Sequence, residues 1–492
     1  MRGRVAASVR YALASVVLVA ATLLGARIYD AQRGPPLELW HRFVPHEGNA
    51  EQLDQTDWAG YLAQEASLFD EVQHEVTERL PAEDRVPVNR YFAGSPVYPG
   101  RFPSNWNRSY ILEPDGPPIG AAVFLHGLTD SPYSLRHIAR RYRKLGYVAV
   151  AIRLPGHGTV PAALTEVDWQ TWLAATRLAV REASRRIAPG APLHLIGFSN
   201  GGALAMKYAL DALGDARFTR PSRVVLISPM IGLTRFARFA GLAGLPAMLP
   251  SFAEAAWLSV LPEFNPFKYN SFPVNAARQA HLLTQALQQR VADYAGDGRL
   301  AQLPPVLTFQ SVMDYTVTTR AVLSALYDHL PANGSELVLF DLNRGAELSL
   351  LLSPEAETKL GRILPPPPRP YRLTVVTNAR PDASAMVEQS TQAAQMTELT
   401  RPLDIPYPSE LYSLSHVALP FPPDDSLYGR RPDPHEDFGI HLGTLAPRGE
   451  RGALVVGLDA LLRATCNPFF DYMAARIEEG IPQPTPAAAV GP

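Results

Sequence analysis

Short apolar runs separated by amphipathic stretches dominate the middle of the chain. Gly120–Leu125, Tyr147–Ile152, Leu193–Ile196 and Arg223–Ile227 are apolar without in/out alternation, the pattern of strands buried on both faces. Between them, Leu135–Leu145 and Trp169–Arg186 carry helical periodicity. Strands alternating with helices predict a mostly parallel sheet with helices on both faces. The pattern breaks over 231–303, where an apolar segment from Phe236 to Leu261 is interrupted by Pro246, Pro250 and Pro262. This insertion is expected to form a helical lid over the strand ends, ordinary core helices being the alternative. The alternation resumes with strands over Pro305–Gln310, Glu336–Phe340 and Tyr371–Thr377, a helix over Thr318–His329, and a last helix near Asn467–Glu479.

The two ends of the chain differ from this middle. An uncharged run from Tyr11 to Ala26 follows Arg2, Arg4 and Arg10. It reads as an uncleaved membrane anchor or a secretory signal. Small residues at a cleavage site are poorly represented, which favours the anchor. Basic residues ahead of the span place the body outside the cytoplasm, on the periplasmic side if anchored, or secreted if the segment is cleaved. The resulting division is an anchor or signal (1–27), an extension with helical patches (28–115), and a first half of the core (116–230). The lid insertion (231–303) follows, then a second core half (304–480) with an insertion at about 345–405, and a Pro/Ala tail (481–492) expected to be disordered.

Composition narrows the classes. The chain has 492 residues and 47% hydrophobic content, enough for a large core. Its 45 basic and 47 acidic residues nearly cancel, which argues against nucleic acid as the main partner. The single cysteine, Cys466, excludes a disulfide scaffold and a thiolate metal cluster. No metal or organic cofactor is implied.

The candidate chemistry lies at one turn. Leu193-His-Leu-Ile-Gly-Phe-Ser-Asn-Gly-Gly202 has Ser199 between Gly197 and Gly201, at the junction of a strand and a helix. A turn this tight exposes a strained serine at its tip, and side chains at the flanking glycines would collide with the neighbouring strand and helix. A serine hydroxyl needs a base, and the base needs a group to orient it. On such a fold the chain order is serine, acid, histidine. Ser199, Asp314 and His416 fit that order, with Asp314 just after a strand. Asp341 is a rival acid; His435 and His441 are rival bases, and His157 precedes the serine in a Pro-Gly-His-Gly loop. The oxyanion needs two backbone donors. Asn200, after the serine, and Leu128, after the first buried strand, are the candidates.

These stretches resemble the α/β-hydrolase superfamily. The motifs are His126-Gly-Leu-Thr, Arg153-Leu-Pro-Gly-His-Gly, Gly197-Phe-Ser-Asn-Gly-Gly, Ser311-Val-Met-Asp-Tyr-Thr-Val and Ser415-His-Val. They are most similar to bacterial carboxylesterases, monoacylglycerol lipases and serine-aminopeptidase-like hydrolases. The resemblance implies Ser199 as nucleophile, Asp314 as acid, His416 as base, and Leu128 and Asn200 as oxyanion donors. It implies a serine hydrolase acting on carboxylic esters, with an apolar acyl or lipid-like substrate suggested by the lid. A serine peptidase or amidase on the same residues, and a non-catalytic envelope binding protein on this fold, are the alternatives. Asn200 replaces a frequent methionine, and about 100 residues separate Asp314 from His416, more than in compact relatives.

Overall fold

A computed structural model describes residues 2–232, 245–248, 250–381, 383–446 and 454–481. The chain begins with a long helix, α1 (Arg2–Gln32), then α2 (Trp58–Val72) and an edge strand, β1 (Tyr110–Leu112). The core follows as β2 (Gly120–Leu125), α3 (Arg136–Lys144), β3 (Tyr147–Ile152), α4 (Trp169–Arg185), β4 (Leu193–Phe198), α5 (Asn200–Gly214) and β5 (Arg223–Ile227). The described part of the insertion contains a two-strand ribbon, β6 (Trp257–Ser259) with β7 (Phe272–Pro273), and the helix α6 (Val274–Gly296). Phe236, Phe239, Leu242 and Leu249, and all of the tail except Ile481, lie outside the described residues. The second half contains β8 (Val306–Ser311), α7 (Thr319–Ala325), β9 (Glu336–Phe340), β10 (Arg372–Asn378), β11 (Met386–Thr391), β12 (Glu398–Leu403) and α8 (Phe470–Glu478).

One sheet runs in the order β1-β3-β2-β4-β5-β8-β9-β10-β11-β12. It is parallel from β3 to β10, while β1, β11 and β12 add antiparallel edges. The central strands are buried on both faces. Ala121, Val123 and Leu125 face one apolar layer, and Ala122 and Phe124 face the other, so β2 shows no alternation in hydrophobicity. The chain leaves β2 toward β3 on one side and returns to β4 on the other. That reversal opens a crevice at the carboxyl ends of β2 and β4, where ligands sit in open parallel sheets. Leu128 and Ser199 both follow those ends.

The polar stretch after 382 forms the hairpin β11–β12, which extends the sheet beyond β10. Its cohesion comes partly from charge: Glu388 accepts from Arg372 at 3.3 Å, Arg401 at 2.8 Å and Tyr472 at 2.8 Å. The N-terminal extension is packed into the body. Tyr61 and Leu68 are buried, and the carboxylates of Glu47 and Glu65 meet the fully buried Arg153 at 2.7 and 3.3 Å. That arginine opens the loop after β3, so the extension braces the rim of the crevice.

The long irregular segment after His416 is fastened by a second buried cluster. Asp425 accepts from Arg136 at 2.7 Å, from Tyr133 at 3.0 Å and, with its other contacts, from the Tyr428 N–H at 2.7 Å. Burial alone would raise its pKa, but Arg136 and His137 hold it well below the ordinary carboxylate range. Asp425→Ala leaves the buried Arg136 with Glu436 as its remaining carboxylate, 3.0 Å away, and the Tyr133 hydroxyl without its acceptor, and is expected to lower stability by about 3 kcal/mol, read from urea unfolding. Asp314 is also held low. With both pKa values depressed in the native state, the unfolded chain binds more protons as pH falls. Their stabilisation is therefore complete above about pH 4 and is lost below it. Urea midpoints measured down the acid limb are expected to drop there, and Asp425→Ala flattens that drop.

Candidate active site

The elbow after β4 is strained in the way a tip serine requires. Ser199 has φ +54° and ψ −115°. Its N–H donates to Ile227 O at 3.0 Å, and its carbonyl accepts from Gly202 at 3.0 Å and Met230 at 2.9 Å, so the surroundings hold the strain. The flanking glycines are sterically required. A Cβ on Gly201 would lie 1.9 Å from Leu125 O, and one on Gly197 would lie 2.3 Å from Gly201 O. Both obstacles are backbone. Gly201→Ala is expected to destabilise the fold by more than about 4 kcal/mol, visible as loss of soluble folded protein or of a cooperative melt.

Asp314 and His416 meet although 102 positions separate them: Nδ1 of His416 lies 2.8 Å from Oδ2 of Asp314. The acid is held from all sides. Oδ1 accepts the N–H groups of Thr316 at 2.8 Å and Val317 at 3.0 Å, and Oδ2 also accepts from Nε2 of Gln310 at 3.1 Å. Burial pushes its pKa up, but His416 and these backbone donors pull it below the usual carboxylate value. An ionised Asp314 fixes the proton of His416 on Nδ1 and leaves Nε2 as an acceptor. The ring of His416 stacks on Phe198, the residue before Ser199, with centroids 5.2 Å apart. The Ser199 hydroxyl makes no hydrogen bond among the described residues. The histidine and acid loops are clamped together, since Ser311 Oγ donates to Leu414 O at 2.8 Å.

The rival residues are placed elsewhere. Asp341 lies one strand further out, where it accepts from Thr377 at 2.9 Å and pairs with Arg344. His435 is exposed, and His441 bonds Ser426 O at 2.8 Å. His157 is fully buried, and burial pushes its pKa down to about 3; its Nδ1 faces Leu154 O and Pro155 O.

Two backbone N–H groups, in the loop after β2 and at the start of α5, have no partner among the described residues. Among the described residues, neither the Leu128 N–H nor the Asn200 N–H donates to another group. The loop carrying Leu128 is fixed on three sides. His126 donates from Nδ1 to Gly127 O at 2.9 Å and accepts at Nε2 from the Leu154 N–H at 3.0 Å, tying the β2 and β3 loops together. Lys268, from the insertion, donates to Thr129 Oγ1 at 3.0 Å and Leu128 O at 3.4 Å. Tyr269 N–H donates to Thr129 O at 2.7 Å. Thr129 itself has φ +61°. Sequence reasoning missed Gln310, Lys268 and the structural task of His126. Gln310 carried a weak signal, a polar residue inside a buried strand.

A family model described as serine aminopeptidase, S33, matches residues 116–342, which span β2 to just past β9 and include Ser199 and Asp314. The core of the chain has the α/β-hydrolase fold. The α/β-hydrolase core is also similar to a thermostable monoacylglycerol lipase of Bacillus sp. (strain H-257), 30% identical over 92 residues. That match covers 19% of this chain and 35% of the relative, about a third of its length. Among solved structures, one from the metagenome-derived lipolytic enzymes LipS and LipT is 20% identical with TM-score 0.39, covering 52% of this chain and 97% of that one. A soluble variant of monoglyceride lipase from Saccharomyces cerevisiae, in complex with a substrate analogue, is 16% identical with TM-score 0.35, covering 47% and 80%.

Proposed function

We propose that this α/β-hydrolase is a serine hydrolase that cleaves carboxylic esters bearing apolar acyl groups. The observation that carries the reading is the 2.8 Å His416–Asp314 hydrogen bond beside the elbow serine. In the reaction, Ser199 Oγ attacks the acyl carbonyl while His416 Nε2 takes its proton. The charge on the carbonyl oxygen is received by the N–H groups of Leu128 and Asn200. His416 then protonates the leaving alcohol, and water attacks the acyl-enzyme with His416 again as base. Asp314 orients the imidazole and stabilises its charged form throughout. No step calls for a metal or cofactor. In this reading the described part of the insertion, 250–303, covers the site, and α1 is the anchor that holds the body outside the cytoplasm.

The monoacylglycerol lipase similarity supports an ester substrate. The serine aminopeptidase description favours a second reading, cleavage of peptide or amide bonds by the same residues. An aminopeptidase would need a carboxylate free to grip the amino terminus. Two buried acids beside the oxyanion loop are engaged: Asp130 interacts with the Lys268 charge and the Ser131 and Gly127 backbone, and Glu263 accepts from the Asn270 and Ser271 N–H groups at 3.0 and 2.8 Å. Turnover of p-nitrophenyl acyl esters of increasing chain length, compared with aminoacyl anilides, separates the two. Faster cleavage of the anilides, or no ester turnover at any chain length, overturns the esterase reading.

A further inference from the structure

The insertion touches the N-terminal helix at one end and the oxyanion loop at the other. The stretch Tyr11–Gln32 of α1 is long and apolar enough to cross a membrane, and its apolar window contains no buried residue. Leu13, Val16, Leu18 and Leu23 are each about two-thirds exposed. Where this apolar run ends, Arg27 turns into the body and donates to the carbonyl of Trp257, the first residue of β6. Trp257 is buried, and its ring packs edge-on against His41 at 4.9 Å. His41 accepts the Glu38 N–H at Nδ1, so its Nε2–H points to Ser271 Oγ at 3.0 Å. The chain just after the helix and the insertion therefore form one apolar and hydrogen-bonded unit.

From Trp257 the insertion loops out and back to Pro273, its pairing partner in β7. This strap is internally rigid. Ser271 Oγ bonds both the N–H and the carbonyl of Leu261 at 3.0 Å, and Glu263 caps Asn270 and Ser271. Arg90 ties it to the body, donating to Asn265 O at 3.0 Å. At its far end Lys268 and Tyr269 grip Leu128 and Thr129. A continuous set of side-chain and backbone contacts thus runs from the end of the apolar helix to one of the two oxyanion donors.

We infer that the strap 257–273 fixes the oxyanion loop against the base of the membrane helix, so that the site draws its substrate, a long-chain acyl ester, from the bilayer that α1 occupies. This rests on the ester reading above. The occupant of the exposed α1 surface is lipid, because an apolar run of this length ending at an inward-turned arginine matches a hydrocarbon core ending at its interface. With the helix upright, the bilayer surface lies at Arg27, and Trp257 lies beside it. The strap then sets the distance from lipid to Leu128.

The test uses the full chain in vesicles of ether-linked phosphatidylcholine, which carry no carboxylic ester of their own. Two probes are compared: a long-chain monoacylglycerol dissolved in the vesicles, and p-nitrophenyl butyrate in the water. In one variant a flexible Gly/Ser spacer is inserted after Gly34; in the other, Arg27→Ala frees the helix from the strap, which Arg90 and Lys268 still hold to the body and the oxyanion loop. Positioning arguments predict that kcat/KM for the vesicle ester falls at least about tenfold while that for butyrate is unchanged. Equal retention of both activities, or their loss in parallel, overturns the inference. The spacer leaves every native residue in place, so a folding defect of Arg27→Ala does not decide the matter. If the unaltered protein hydrolyses neither probe, the ester reading itself fails, and this is seen before any variant is made.

Discussion

Ser199→Ala is expected to lower kcat for p-nitrophenyl butyrate by about 10⁵–10⁶-fold while leaving the thermal melt in place. The size follows from the way the three side chains depend on one another. Without the hydroxyl, His416 Nε2 has no proton to accept, and the Asp314 hydrogen bond at 2.8 Å orients a base with nothing to activate. What survives is substrate binding and the two free N–H groups of Leu128 and Asn200, which act on a water attack that is poorly placed. The fold is expected to tolerate the change. The strain at φ +54° is held by backbone hydrogen bonds to Ile227, Gly202 and Met230, none of which uses the hydroxyl. Steady-state kinetics and calorimetry on the same preparation check both halves. A fall of less than about tenfold would place the nucleophile elsewhere.

Asp314→Asn is expected to reduce kcat by about 10⁴-fold with little change in KM. The surrounding donors dictate how the amide sits. Thr316 and Val317 offer N–H groups to the Oδ1 position, so the asparagine oxygen is required there. Its NH₂ then faces His416 Nδ1 and also meets the Nε2 donor of Gln310. The imidazole responds by placing its proton on Nε2, where it can no longer receive one from Ser199. An amide at this position therefore selects the wrong tautomer. Nuclear magnetic resonance of the imidazole protons gives a second readout: wild type shows a proton on Nδ1, and the variant loses it. An unchanged rate would remove Asp314 from the mechanism and return attention to Asp341.

The legible and illegible parts of this chain differ in physical origin. The central strands were readable because burial on both faces demands uninterrupted apolar residues, and the observed bounds of β2, β3, β5 and β9 match that reading. The elbow was readable because close approach leaves glycine as the sole choice at Gly197 and Gly201. The β11–β12 hairpin was hidden because Glu388, Arg372 and Arg401 join it by charge, which leaves no hydrophobic period. The contact between Asp314 and His416 could be expected from chain order alone; its distance depends on how the β9–β12 segment folds back. Lys268 and Arg27 carried no local signal. Each acts on a backbone carbonyl more than a hundred residues away, and single-sequence patterns do not register such pairs.

The central claim is that Ser199 is a nucleophile activated by His416. The most direct measurement is labelling of the full-length protein with a fluorophosphonate probe, followed by mass spectrometry of the modified peptide. The account predicts a single adduct on Ser199 in the unaltered protein, none in Ser199→Ala, and strongly slowed labelling in His416→Ala. An adduct on another residue, or equal labelling of the unaltered protein and Ser199→Ala, would contradict it.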